Sequence, residues 1–502
     1  MNPQRPFAAF EFVSALVRPG NRRVIALLAL VVGLEGASTG AVGAVAMALK
    51  QAFQLDNVDI GLLVTVSTGI GIVATLAAGS LADRANRTRV LWITVLIWSV
   101  AMALSALSTG YRWLLVCRLA LGVTVAVGGP AVASLMGDYF VPRDRGRIYG
   151  YVLAGEGICT ATGILISGWL AAISWRLSFL WLAVAGALLA LGVAKLMPEP
   201  IRGGRARFSV GQAQSHDSGR RGVVAREVLT RHVAPHPSLI LRENPQRRSL
   251  WWVVRYVLSI KTNAVLIVAS TCGYVFFTGL ATFAVVLLRG RFGVPQAVAM
   301  PLVAVIGIGA LIGSLSSGRI ADSMARRGHL SARVTVAGTA FLIAGVFFLP
   351  VLLSASLAVA VVFAFLAAIG LGGVNPALDA VRLDIMHSRL WGRAEAVRTT
   401  LRTGFTAVAP LVFGFLSVRF SPESRDAQLA TTGAIGLQRA FLVMLLLLFA
   451  AGGLVLLVAR RTYPADVATA VISELVTGSP SDWDPRSDST AGRIKAIDEQ
   501  HH

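Results

Sequence analysis

Three charged side chains sit where an apolar sequence should hold none: Glu35 in LVVGLEGASTGAVG, Arg118 in VCRLALGV and Glu156 in YVLAGEGICTATG. At the centre of a lipid-embedded helix a charge costs about 2.5–3.5 kcal/mol even on lenient insertion scales, so each needs a partner or a wet cavity. Glu35 falls about eleven residues into its run, roughly 16 Å at helical rise, and Arg118 enters its run from the opposite side. If their two helices face a common space, the carboxylate and the guanidinium can pair, and protonating the carboxylate would release the arginine, giving one proton a lever on binding. A permanent structural pair, or a Glu35 held protonated among small residues, would use the same atoms. Glu156 stands two turns into its run amid glycines, where it either lines an internal interface or caps contacts near a helix end.

A second set lies late in the chain. Arg398 and Arg402 are one turn apart and share a charged stripe with Glu395, following Asn375 in the preceding run. On a cavity wall that stripe would hold a phosphate or carboxylate head; at the cytoplasmic surface the same arginines would snorkel. Tyr274 and Phe277, in GYVFFTGLATF, either line an amphipathic cavity or pack against lipid. No nucleophile–base or metal constellation accompanies them, and no Gly-rich loop followed by Lys-Ser/Thr, so neither an enzyme nor an ATP-driven pump is expected. No cofactor is expected either, and the driving force would be a proton gradient. Cys117, Cys159 and Cys272 lie in apolar runs at unrelated spacings and suggest no disulfide or metal site.

The elements that position these residues follow from composition. The 502 residues are 55% hydrophobic and 14% charged, with mean hydropathy +0.70, and apolar runs of about 20 residues recur along them, each able to cross some 30 Å of hydrocarbon. Helices are expected, because lipid leaves no water for open backbone groups. About twelve spans are counted, near 24–50, 59–81, 89–109, 111–138, 148–172, 175–197, 263–289, 296–320, 333–352, 355–382, 396–418 and 437–459. No cleavable signal peptide is visible. The net charge of +21 concentrates after spans 2, 4, 6, 8 and 10, the asymmetry that marks cytoplasmic loops. It therefore reads as topology in a cytoplasmic (plasma) membrane, with both termini inside, and not as a nucleic-acid surface.

The expected organisation is an interfacial N-terminal segment (1–23), a six-helix bundle (24–197), a basic linker (198–261), a second six-helix bundle (262–460) and a disordered tail (461–502). The linker's end, RRSLWWVVRYVLSIK (247–261), mixes aromatics and arginines as a headgroup-level helix does; a cytoplasmic extension of span 7 fits equally well. Two motif pairs argue for duplication. GSLADRANR (79–87) recurs as GRIADSMARR (318–327), and GGPAVASLMGDYFVPRDRGR (128–147) as GGVNPALDAVRLDIMHSRLWGR (372–393). Their offsets, 318 − 79 = 239 and 376 − 130 = 246 for the paired prolines, nearly agree. Parallel six-span repeats are a known transporter plan. The repeated charges suggest a cytoplasmic gate, with Asp83 accepting from helix N-termini and Arg84 and Arg87 reaching Asp138 in the first half, Asp322, Arg326 and Arg327 engaging Asp384 in the second, and Arg147 and Arg393 belonging to the same two clusters. Anchoring at the headgroups is the plainer role for the same residues.

These motifs resemble the major facilitator superfamily across essentially all of the membrane-spanning chain. GSLADRANRTR is similar to its loop 2–3 signature, RLALGVTVAVGGP (118–130) to its segment-4 pattern and SWRLSF (174–179) to its span-6 start. GLLVTVSTG, LWITVLIWS, GDYFVPRDRGRIYGY and GRAEAVRTTLRTGFTAVAPLVFG look more narrowly like Spinster-type members. Val125 stands where those proteins carry an acidic residue, and their span-5 proline is missing. The resemblance implies an all-α fold of 12 transmembrane helices in two pseudo-symmetric six-helix bundles. It also implies a normally monomeric, proton-coupled exporter of an amphipathic, lysophospholipid- or sphingolipid-like molecule among membrane lipids. Multidrug efflux, transport of a small organic anion by the arginines, and a non-transporting membrane sensor are the alternatives.

Overall fold

The computed structural model describes residues 19–84, 86–139, 142–199, 227–228, 230–243, 245, 248–387, 390–421 and 429–477. Helices occupy nearly all of them: α1 Pro19–Phe53, α2 Asn57–Arg84, α3 Arg87–Ala106, α4 Tyr111–Tyr139, α5 Pro142–Ile173 and α6 Trp175–Leu196. After the linker come a short α7 Leu250–Ser259, then α8 Lys261–Phe292, α9 Gln296–Arg326, α10 Ala332–Leu353, α11 Leu357–Asp384, α12 Trp391–Arg419 and α13 Leu429–Leu454. A π-helical segment, Val455–Ala459, joins α13 to α14, Arg460–Thr477. Among the described residues, ten helices are long and apolar enough to cross a membrane.

The helix ends obey local chemistry. Asn86 caps α3 by accepting from the Arg89 amide at 2.8 Å, Ser174 and Ser249 cap α6 and α7 in the same way, and α8 stops at Gly293, whose φ of +65° is left-handed. Helix pairing repeats along the chain. The packed pairs α1/α5, α2/α4, α3/α4 and α3/α6 recur as α8/α12, α9/α11, α10/α11 and α10/α13.

The two sets of helices meet at the end away from the arginine-rich connections, through α1/α8, α2/α12 and α5/α9. Close backbone approach makes that seam. A Cβ on Gly43 would lie 2.5 Å from the Ala281 carbonyl oxygen, and Gly61 and Gly414 likewise face the backbone of Pro410 and of Asn57. Hydrogen bonds cross the same level: Gln296 Nε2 donates to the Ala44 carbonyl at 2.8 Å and Asn57 Nδ2 to Ser417 Oγ at 2.6 Å. The two sets are packed together at that end.

Two boundaries differ from the sequence reading. Helix α1 begins at Pro19, inside the stretch assigned to the interfacial segment, of which residues 1–18 lie outside the described residues. The tail expected to be disordered from 461 is instead helical through Thr477, with Tyr463, Asp466, Val467, Ala470 and Ser473 buried. Linker residues 230–243 and α14 clamp each other at the α8 N-terminal end of the second set of helices. Thr469 Oγ1 accepts from the His236 amide at 2.8 Å, Ser473 Oγ from the Leu241 amide at 3.0 Å, and Asp466 Oδ2 from the Thr262 amide at the start of α8 at 3.0 Å. The polar composition that reads as a tail is one face of this helix; small residues form the other.

Candidate functional site

Helix α1 is enclosed by α2, α4, α5, α6 and α8. Glu35 is exposed on this enclosed helix. Glu156, half-buried on α5, is near enough for the two charges to act on one another. The helices cross tightly there, with Thr160 Oγ1 donating to the Gly33 carbonyl at 3.4 Å. Arg118 is 2% exposed. The expected Glu35–Arg118 pair is not formed: Arg118 Nη1 donates to Ser38 Oγ at 3.2 Å, one turn further along α1, and its Cζ lies 5.2 Å from the Phe179 ring centroid. Its Nε and Nη2 are buried with no hydrogen-bond partner.

On the second set, the arginine stripe of α12 turns inward. Arg398, 7% exposed, is bound through both Nε and Nη2 to Glu395, the first at 2.8 Å, and its Nη1 lies 3.9 Å from Asp379 Oδ1 on α11. Arg382, also on α11 and buried, pairs with Asp379. One turn deeper than Arg398, the Arg402 Cζ sits 4.1 Å from the Tyr274 ring centroid on α8. At that distance the guanidinium and the ring attract one another. Among the described residues no carboxylate pairs with Arg402. Asn375 lies half-buried one turn from Asp379, and Phe277 is half-exposed. Sequence reading missed Arg382 and Asp379; the four-residue step from Asn375 to Asp379, and the approach to Arg382, were the available signal.

The two groups share a level. From the Gly43–Thr282 contact, Glu35 on α1 (43 to 35) and Tyr274 on α8 (282 to 274) each lie eight residues toward the helix N-terminus, about 12 Å at helical rise. Glu35 thus stands at the height on one set of helices that Tyr274 occupies, beside Arg402, on the other.

The gate differs from its expected wiring. Side chains of Asp83, Arg84, Asp138 and Arg147 lie outside the described residues. Arg87 is buried and engages Glu199 beyond α6: Nε lies 3.2 Å from Oε1, while the Arg87 and Thr88 amides donate to the same carboxylate at 3.2 and 2.7 Å. Glu199 thus satisfies the free amides that begin α3. In the second half, Arg333 holds Asp384, where Arg326 and Arg327 were expected. Arg333 Nη1 lies 2.5 Å from Asp384 Oδ2 and Nη2 3.0 Å from Asp322 Oδ1, and Tyr463 donates to Asp384 at 2.6 Å. Arg326 and Arg327 are exposed, and Arg393 Nη1 donates to the Arg248 carbonyl at 2.9 Å.

Both anchors are testable. Arg333→Ala leaves the nearly buried Asp384 without its cation and is expected to cost about 3 kcal/mol, against less than ~0.5 kcal/mol for Arg326→Ala, read as unfolding of the purified protein in detergent. Burial would push the Glu199 carboxyl up, but hydrogen bonds from Thr88 and Arg87 outweigh it and hold it below the usual carboxylate range. A depressed folded value means stability that is present above the unfolded value near 4.3 and is lost as pH falls through the folded one. Melting curves should therefore show an acid-limb loss below about pH 4 that Glu199→Gln lacks.

The Major Facilitator Superfamily model matches residues 27–350. The chain is 30% identical over 174 residues to the 4-hydroxybenzoate transporter PcaK of Acinetobacter baylyi, covering 34% of this chain and 38% of that protein. It is 26% identical over 244 residues to a gallate transporter of Pseudomonas putida, covering 46% and 51%. The matches thus span between 38% and 51% of these relatives' lengths. A crystal structure of a bacterial homologue of the human lysosomal transporter Spinster, inward-facing and occupied, shares the fold at TM-score 0.67 and 20% identity, over 90% of this chain and 99% of that one.

Proposed function

Because the chain belongs to the major facilitator superfamily, we propose that it is a secondary active transporter that moves a small organic anion together with a proton by alternating access. In this reading two six-helix bundles, within a twelve-span arrangement, rock about the Glu35–Tyr274 level. The closed outer seam corresponds to the inward-facing state, and the salt bridges of Asp384 and its counterpart regions loosen and re-form at the cytoplasmic gate. Both termini lie in the cytoplasm and the working unit is a monomer.

One observation carries the choice of cargo: Arg402 stands with its Cζ 4.1 Å from the Tyr274 ring centroid, at Glu35's level, with no carboxylate partner among the described residues. A guanidinium stacked on a ring offers a carboxylate two parallel donors and offers an aromatic body a surface. Curated relatives named for 4-hydroxybenzoate and gallate support this reading over the lipid-like cargo suggested by the Spinster resemblance, and over multidrug efflux. Purified protein in liposomes, given 4-hydroxybenzoate, gallate or a lysophospholipid with and without a pH gradient, decides. Gradient-stimulated flux of the aromatic acids is expected; flux of the lysophospholipid alone would overturn the proposal.

A further inference from the structure

A groove of about 430 Å³ lies between linker residues 238–245 and α7, away from the transport site. Its walls carry Arg242, Arg248 and Arg255 with the aromatics Trp252 and Tyr256. Glu243 is the acidic group among its lining residues, and Arg248 holds it at 2.8 Å. Arg242 and Arg255 meet no carboxylate among the described residues, so the groove is left with two positive charges to spare. Trp252 and Tyr256 stack at 5.2 Å between centroids, 6° from parallel, and Arg248 lies 5.7 Å over Trp252. The wall is pinned, because Tyr256 donates to the Leu239 carbonyl at 3.1 Å. Burial and the nearby Asp466 push its phenol up to about 12, so it remains a donor.

The height of this groove identifies its ligand. Helix α7 passes through Ile260 straight into α8 at Lys261, so it lies at the cytoplasmic end of a membrane-spanning helix. Val253 and Val257 bury one face of α7, while Trp251 (78% exposed), Arg255 and Leu258 (41% exposed) share the other. An exposed tryptophan and leucine flanking an arginine suit the boundary between headgroups and acyl chains. A soluble anion would have no use for that stripe.

We propose that this groove binds the phosphate headgroup of one anionic phospholipid of the cytoplasmic leaflet, through Arg242 and Arg255, with Trp251 and Leu258 resting on its acyl chains. The site adjoins the transport machinery: the Arg248 carbonyl accepts from Arg393 near the start of α12, the helix that carries Arg398 and Arg402. A bound lipid therefore braces the cytoplasmic end of that helix.

Native mass spectrometry of the detergent-purified full chain, titrated with phosphatidylglycerol, tests the site. One phosphatidylglycerol is expected to bind with preference over phosphatidylcholine, and Arg242→Ala with Arg255→Ala to weaken that binding about 30-fold. Arg326→Ala with Arg327→Ala, equally cationic and equally cytoplasmic, should leave it within about twofold. The single variants Arg242→Gln and Arg255→Gln should each weaken it about fivefold, which guards against misfolding of the double variant. Unchanged affinity in the single or double variants, equal binding of phosphatidylcholine, or displacement of the lipid by millimolar inorganic phosphate would each overturn the proposal; the last would indicate a soluble-anion site.

Discussion

Glu35→Gln is expected to abolish uphill accumulation of substrate while leaving exchange of substrate across the membrane intact. One proton moved down a gradient of one pH unit supplies about 1.36 kcal/mol, enough for roughly tenfold accumulation if one proton accompanies each substrate; the variant should level off near onefold. The amide keeps the size and hydrogen bonding of the carboxyl but has no proton to carry. Accumulation in proteoliposomes, beside counterflow of labelled substrate, separates the two behaviours. The position of Glu35 favours it as the proton site, because it is exposed on a helix that five others surround while lacking an ion-pair partner among the described residues. A Glu35→Gln protein that still accumulates substrate, with Glu156→Gln uncoupled, would move the proton site to α5.

The second large effect concerns binding. Arg402→Ala should raise the KM for an aromatic carboxylate about 10–100-fold, the loss of a charge-assisted pair, with the folded protein still recovered in normal yield. Arg402→Lys should recover only part of this, since an ammonium is a point charge without a planar fork and stacks less well on Tyr274. Arg398→Ala is a different experiment. It strips Glu395 and Asp379, both about half exposed, of a shared partner and should lower stability by about 1 kcal/mol, so a loss of flux there would not by itself report on substrate. An unchanged KM in Arg402→Ala would remove the anion reading at its root.

Sequence alone exposed the parts of this molecule that lipid constrains most. Runs of some 20 apolar residues have one viable backbone solution, so the helices and their order were legible. The duplicated charge motifs were legible because a repeat is a comparison of the chain with itself. Partnerships were not. Arg333, which closes on Asp384, lies beyond a turn and on the next helix from the motif arginines, and nothing in the spacing favours it over Arg326. Arg118 illustrates the same limit: depth alone permits Glu35 as partner, whereas the rotation of α1 presents Ser38. Residues 460–477 misled by composition, because their buried face joins Tyr463 and Asp466 to Ala, Ser, Thr and Val, a polar-looking set that buries against a linker whose path the sequence does not disclose.

Helix α13 runs through Val455–Ala459 into α14 with no loop between them, so the last apolar span and the cytoplasmic clamp form one rod. Its last portion, Val455 to Thr477, clamped to the linker as it is, extends about 33 Å, and a rocking rotation on the order of 10° would sweep its tip through about 6 Å. The clamp is therefore a lever arm: movement too small to follow among the packed spans is magnified at Thr477. A fluorophore there, paired with one at Lys195 beside the end of α6, would turn each transport cycle into a change of distance that can be watched in a single molecule.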